Sequence, residues 1–251
     1  MEVVLLTALG VGGATMVGAL IGFIFKNPSQ RFNDVILSFA AGIMLCASVV
    51  GLIMPSIEEK NGSLLVTALG VIAGALCLNV IDKLVPHLHK MTGVDIEKHP
   101  HKTKQLSKVL LFVIAIAIHN LPEGIAAGVS FGSDNVAHAI TIAGGIALQN
   151  IPEGMVIIAP MISSGISKKR TLGIALLTGV VEVVGTLIGY FAVSLSAAIL
   201  PFALAFAGGT MIYVISDEMI PETHSHGNER YATYALIVGF ITMLGFDHFL
   251  G

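Results

Sequence analysis

Two short stretches set polar side chains inside apolar sequence. Ile116–Gly128 reads IAIHNLPEGIAAG, and Ala147–Ile158 reads ALQNIPEGMVII. In the first, His119 and Asn120 precede Glu123 by four and three residues; in the second, Gln149 and Asn150 precede Glu153 by the same intervals. Residues so spaced share one face of an α-helix, so each Glu is predicted to converge with both polar residues one turn earlier. Pro122 and Pro152 sit in matching places. Each lacks an N–H and crowds the carbonyl four residues back, which frees the backbone oxygens of Ile118 and Leu148. In a membrane such an oxygen is tolerated only where a helix, water or an ion satisfies it.

Glu182, alone within TGVVEVVGT, supplies a third carboxylate. No Lys or Arg occupies the middle of any apolar stretch, so three negative charges call for protons or a bound cation. Ionised side chains at that depth cost about 2.5–3.5 kcal/mol or more, and intramembrane acids point to function. One imidazole, carboxylates and amide oxygens, without thiolate, suit borderline-to-hard divalent metals such as Zn²⁺, Fe²⁺ or Mn²⁺ better than Cu⁺. Two rivals stand beside a metal carrier. One is a proton-coupled carrier of another solute, although a bare proton relay needs carboxylates and has no use for two Asn and a Gln at these spacings. An intramembrane metalloprotease wants H-E-x-x-H, whereas His119 is followed by Asn and the fifth position is Glu. No phosphate-cradling G-x-x-x-x-G-K-[ST] occurs, which speaks against an ATP-driven pump. No prosthetic group, enzymatic activity or nucleic-acid partner is expected; the metal would be the transported substrate.

These residues need elements that cross a bilayer. The 251-residue chain is 55% hydrophobic and 12% charged, with a net charge of −3 and a mean hydropathy of +0.88. A soluble domain carries about 25% charged residues, so the class is a polytopic, all-α membrane protein. Eight spans are predicted, at 3–25, 32–57, 64–85, 107–131, 137–163, 171–200, 202–221 and 231–250, each long enough to cross the hydrocarbon. The whole chain, 1–251, reads as one transmembrane domain. Its one sizeable loop, 86–106, carries His87, His89, His99 and His101. The first span has Glu2 in front and Lys26 and Arg31 behind, the flanks of a retained helix rather than of a cleaved leader. Twelve of the thirteen Lys and Arg residues fall on one face of this topology, and Lys60 is alone on the other. The rich face is therefore cytoplasmic and both termini lie outside, in the cell (inner) membrane. Spans four and five cross in opposite directions, so the two motifs meet head-to-tail at one depth, an arrangement that points to a midplane site.

Glycines recur every fourth residue at Gly18/Gly22, Gly70/Gly74, Gly124/Gly128/Gly132 and Gly185/Gly189, which predicts close helix crossings. Cys46 and Cys77 lie in apolar runs and read as small buried residues, not as a disulfide or thiolate site.

HNLPEG and QNIPEG resemble the fourth- and fifth-helix signatures of the Zrt/Irt-like (ZIP) divalent metal transporters, in the bacterial, GufA-like branch. GIMLCASVVGLIMPSIEE in span two and AGGTMIYVISDEMIPETHSHG in span seven extend the likeness nearly end to end. The resemblance implies a binuclear metal centre with inverted-repeat helices around it. By motif position, His119, Glu123, Gln149 and Glu153 would form the first metal site. Asn120, Glu123, Asn150, Glu153 and Glu182 would form the second, with the motif glutamates bridging. Many members carry His where Gln149 stands and some carry Asp where Asn150 stands, so this donor set is less anionic. The likeness also implies a homodimer and an elevator-like movement of the metal-bearing helices. Asp217, Glu218, Glu222, His224 and His226 are expected toward the cytoplasmic end of span seven, as an exit relay or a solvated helix end. Glu58 and Glu59 are expected outside, and Asp247 and His248 at the outer interface.

Overall fold

Apolar runs of the length that a bilayer demands fold as helices because only an α-helix satisfies every backbone group within one segment. The structure, a computed structural model, describes residues 1–25, 28–84, 118–133, 135–163 and 165–251. The helices are α1 (Glu2–Ile24), α2 (Gln30–Glu58), α3 (Leu64–Leu84), α4 (residues 118–130), α5 (Val136–Ile162), α6 (Lys168–Leu195), α7 (Ala197–Thr223) and α8 (Glu229–Leu250). All but α4 are long and apolar enough, over their described residues, to cross a membrane. The loop 86–106 with its four histidines, and 107–117 of the fourth predicted span, lie outside the described residues.

Two boundaries move for local reasons. Ser167 is extended (φ −66°, ψ 148°) and opens α6 at Lys168 rather than at 171, so the basic Lys168–Arg170 turn is helical. Ser196, also extended (φ −157°, ψ 112°), ends α6 early. Span seven then starts with a 3₁₀ turn, Ala197–Ile199, and Pro201 takes a place in the first α-helical turn, where its missing N–H costs nothing.

Neither motif proline breaks its helix: α4 runs through Pro122 and α5 through Pro152. Two other prolines do reshape their helices. Pro55 and Pro221 each follow a π-helical turn, Ala47–Ile53 in α2 and Ile215–Met219 in α7. Widening the helix before a proline relieves the clash of its ring with the preceding carbonyls. In α2 the carbonyl of Gly51 then accepts a hydrogen bond from Nε2 of His138 on α5, at 3.1 Å. In α7 the wide turn carries Asp217 and Glu218.

Glycine decides which helices touch backbone to backbone. A Cβ on Gly12 would strike the Gly179 carbonyl, one on Gly18 that of Ile151, one on Gly124 that of Glu182 and one on Gly128 that of Thr186. These crossings join α1, α4, α5 and α6. A second set joins α2 to α8, where Gly42 lies on the Leu236 carbonyl and Gly239 on that of Phe39. It also joins α3 to α7, where Gly74 lies on the Phe206 carbonyl and Gly209 on that of Val71. Where the glycines lie between the sets, they face side chains instead: Ile142 of α5 fills the space over Gly51, and Met243 of α8 the space over Gly145. That seam is lined by fully buried Ile43, Met44, Leu52, Ile142, Ile146 and Met243.

Candidate metal centre

The first set of helices brings both motifs and Glu182 together. Gly124, one residue after Glu123, lets α4 lie directly on the α6 backbone at Glu182. Gly154, one residue after Glu153, does the same for α5 against Thr15 of α1. The glycine of each P-E-G thus holds its neighbouring carboxylate at a helix crossing. Glu123, Gln149, Asn150 and Glu182 are at most 1% exposed and Asn120 is 4% exposed.

The hydrogen bonds that hold this cluster run between helices. Glu182 is the hub: it accepts from the Thr15 hydroxyl at 2.6 Å, from the Asn150 amide at 2.5 Å, and from the Asn120 amide. Asn150 also donates to the carbonyl of Val11 at 3.2 Å. Gln149 donates to one oxygen of Glu123 at 3.0 Å. Among the described residues four acceptors of this cluster stay buried without a hydrogen-bond donor: Oε2 of Glu123, Oε1 of Gln149, Oδ1 of Asn150 and Oε1 of Glu153. A buried acceptor without a donor costs about 1–3 kcal/mol, more when charged. Four of them around one set of crossings make a polar cradle fitted to an electrophile. Among the described residues no three His, Cys, Asp or Glu side chains alone enclose a metal position. The convergence mixes carboxylates with amides.

His119 reaches a carboxylate on another helix. Its Nε2 lies 2.7 Å from the Glu218 carboxylate, with the two side chains 25% and 17% exposed. The wide turn before Pro221 therefore delivers Glu218 to the motif histidine, whereas the sequence grouped it only with residues of the inner helix end. Thr15 and the Val11 carbonyl were also missed. A single hydroxyl in the small-residue run GGATMVG was the available signal.

The remaining candidates fall elsewhere. Asp34, 2% exposed, accepts from Gln30 at 2.9 Å and from Asn228 at 2.8 Å, and lies 3.1 Å from Nδ1 of His226. His224 contacts Thr223, the Ile220 carbonyl and Thr233. His224 and His226 thus brace the α7–α8 turn. Asp217 is exposed. At the opposite end, Asp247 lies 3.4 Å from Nδ1 of His138, and Glu58 is exposed. Cys46 is buried and Cys77 half-buried, both as free thiols.

Accessibility around the cradle is uneven. On the side of Gly51, His138 and Asp247, Ile142 and Ile146 of α5 and Met44 of α2 are fully buried in the apolar core. On the other side, partly exposed His119 and Glu218 lead to exposed Asp217.

A family model described as ZIP zinc transporter matches residues 95–247. Zinc transporter GufA of Myxococcus xanthus is 41% identical, the alignment covering 98% of each chain. Zinc transporter ZIPB of Bordetella bronchiseptica is 36% identical over 95% of this chain and 78% of its own. Zinc transporter ZupT of Streptococcus mutans is 33% identical over 95% of this chain and 94% of its own. With likeness of this extent along the whole length, on a helical bundle with acidic residues buried at its crossings, the chain is a multi-pass membrane protein of the ZIP zinc transporter family and not a protease.

Proposed function

We propose that the chain carries a divalent cation, zinc foremost, into the cytoplasm through the cradle between α4, α5 and α6. The observation that carries this reading is the set of four buried oxygens without donors among the described residues. Oε2 of Glu123, Oε1 of Glu153 and Oε1 of Gln149 stand ready for a first ion, with His119 as the nitrogen ligand. Asn120, Asn150 and Glu182, with the two motif glutamates, form the second position of a binuclear centre. Glu182 already accepts three hydrogen bonds, so its share in holding the cargo is smaller than that of Glu123.

Nε2 of His119 cannot serve both Glu218 and a metal. Exchange between these partners gives a release step: the ion leaves as His119 turns to Glu218. The glycine crossings support an alternating movement. Helices α1, α4, α5 and α6 are joined backbone to backbone and move as a body, while side chains at the seam with α2 and α8 exchange partners. By the positive-inside rule the end with His138 and Asp247 faces outside, with both termini, and the end with Glu218 faces the cytoplasm. The protein acts as a homodimer, with 1–251 as one transmembrane domain per protomer.

Zinc uptake into proteoliposomes tests this reading. Uptake should saturate with zinc, and metal added to purified protein should release protons, because carboxyl groups that take up a cation shed any protons they hold. Transport of another solute with no response to zinc would sink the proposal. Thr15→Val removes one donor from Glu182 and should weaken zinc affinity by about tenfold, the scale of losing a group that orients a ligand; calorimetric titration measures it. Glu218→Gln keeps the cradle but removes a carboxylate from His119. It should slow release more than it weakens binding, lowering the maximal rate by about tenfold with little change in half-saturation.

A further inference from the structure

We propose that the crevice between α2 and α8, on the cytoplasmic half of the bilayer, binds an anionic diacyl phospholipid whose acyl chain reaches the helix that carries the second motif. The crevice measures about 520 Å³. Its mouth is polar and aromatic: Arg31 at the start of α2, and Tyr231 and Tyr234 in the first turns of α8. The Arg31 guanidinium lies over the Tyr231 ring, 3.5 Å from its centroid. A stacked guanidinium is held in place while its N–H edges stay available to a planar or tetrahedral oxyanion. Tyr231 and Tyr234 are 50% and 71% exposed, as expected of rings at head-group depth.

Below this mouth the walls are apolar: Val35 and Phe39 of α2, then Ala235 and Val238 of α8. From Arg31 to Phe39 the helix rises about 12 Å, enough for the upper part of an acyl chain. Water in such a slot finds few polar partners, and lipid is the solvent there. The charge pattern selects the lipid. Asp34, the acid nearest to Arg31 along α2, is buried and bound to Gln30, Asn228 and His226. By the topology expected from the sequence this is the face rich in Lys and Arg, next to the anionic cytoplasmic leaflet.

The crevice also contains Pro152 of α5, the residue before Glu153. A chain wedged there touches both the motif-bearing body and the helices it moves against. Occupancy would therefore set how freely α5 shifts. This second consequence rests on the transport reading above, whereas binding itself does not.

The test uses the full-length protein in detergent, titrated with phosphatidylglycerol or phosphatidylcholine and read by native mass spectrometry. One phosphatidylglycerol should stay bound per protomer, with phosphatidylcholine lost. Arg31→Gln should weaken retention roughly fivefold, the effect of one basic group near anionic lipid. Arg31→Lys should keep most of it, and Ala235→Leu should abolish it by filling the slot. Equal retention of the two lipids, or no response to Arg31→Gln in a monodisperse protein, would overturn the site. So would efficient disulfide cross-linking of Tyr234→Cys between protomers in vesicles, because a second copy would then cover the crevice. If binding behaves as expected, zinc uptake should differ between phosphatidylglycerol and phosphatidylcholine vesicles. Binding without that difference would remove the coupling to α5 and leave the transport reading intact.

Discussion

Glu123→Gln is expected to reduce initial zinc uptake into proteoliposomes by on the order of 100-fold or more, while the protein elutes as before and keeps its helical circular dichroism. Removing only a group behind a metal ligand costs about 10–100-fold; removing the ligand itself should cost more. Glu123 faces the cradle with one oxygen tied to Gln149 and the other without a donor. The amide that replaces it keeps the size and an acceptor for Gln149. It loses the negative charge that would balance a cation in a site with no Lys or Arg. Because an ionised carboxylate is costly at this depth, the substitution should leave the fold as stable or more so. Loss of transport together with unchanged or raised melting temperature separates a binding role from a structural one. Uptake within a few-fold of the unsubstituted protein would remove Glu123 from the carrier path. Glu182→Gln should fall less, about tenfold, because three hydrogen bonds already engage that carboxylate.

The second large effect is on assembly of the site. Gly124→Val is expected to leave little or no folded protein, and Gly128→Val the same, read as loss of the monodisperse peak after extraction. In both, the new Cβ would occupy the place of a carbonyl oxygen on α6, at Glu182 or at Thr186. Backbone cannot swing aside as a flexible side chain can, so the cost exceeds the ~1–3 kcal/mol of ordinary overpacking. α4 and α6 would have to separate, and the bond from Asn120 to Glu182 would go with them. Gly10 and Gly144 are the controls, because a Cβ at either meets nothing within 4 Å; Gly10→Ala and Gly144→Ala should behave as the native chain does. Gly145→Ala lies between these extremes, since its new methyl meets only the sulfur end of Met243. If Gly124→Val folds and binds zinc normally, the crossing does not position Glu182.

Much of this was written along the chain. The described spans follow from run length and composition, because the bilayer admits so few solutions. The two PEG motifs, read at i, i+3 and i+4, and the lone acid of TGVVEVVGT named residues that the fold does bring to one place: Asn120, Glu123, Gln149, Asn150 and Glu182 are buried together. Local spacing revealed the cluster but not its internal pairing. Along α4, His119, Asn120 and Glu123 share a face, yet the bonds cross between helices: Asn120 reaches Glu182, Gln149 reaches Glu123, and His119 reaches Glu218.

What periodicity alone determines is the face on which each side chain stands, since 3.6 residues per turn is a property of one helix. Which face meets which depends on where backbones approach, and that was decided by glycine crossings between residues far apart in sequence. Thr15 and Glu182 are 167 positions apart and 2.6 Å distant, a pairing no local pattern encodes. Glu218, a neighbour of His119, stands in a π-helical turn before Pro221, where a 3.6-residue period does not give the direction of a side chain. Sequence therefore established the elements, their apolar environment and the acids stranded within it. Tertiary structure alone established the hub at Glu182 and the unmatched oxygens of the cradle, because burial and hydrogen-bond completion are properties of the assembled helices.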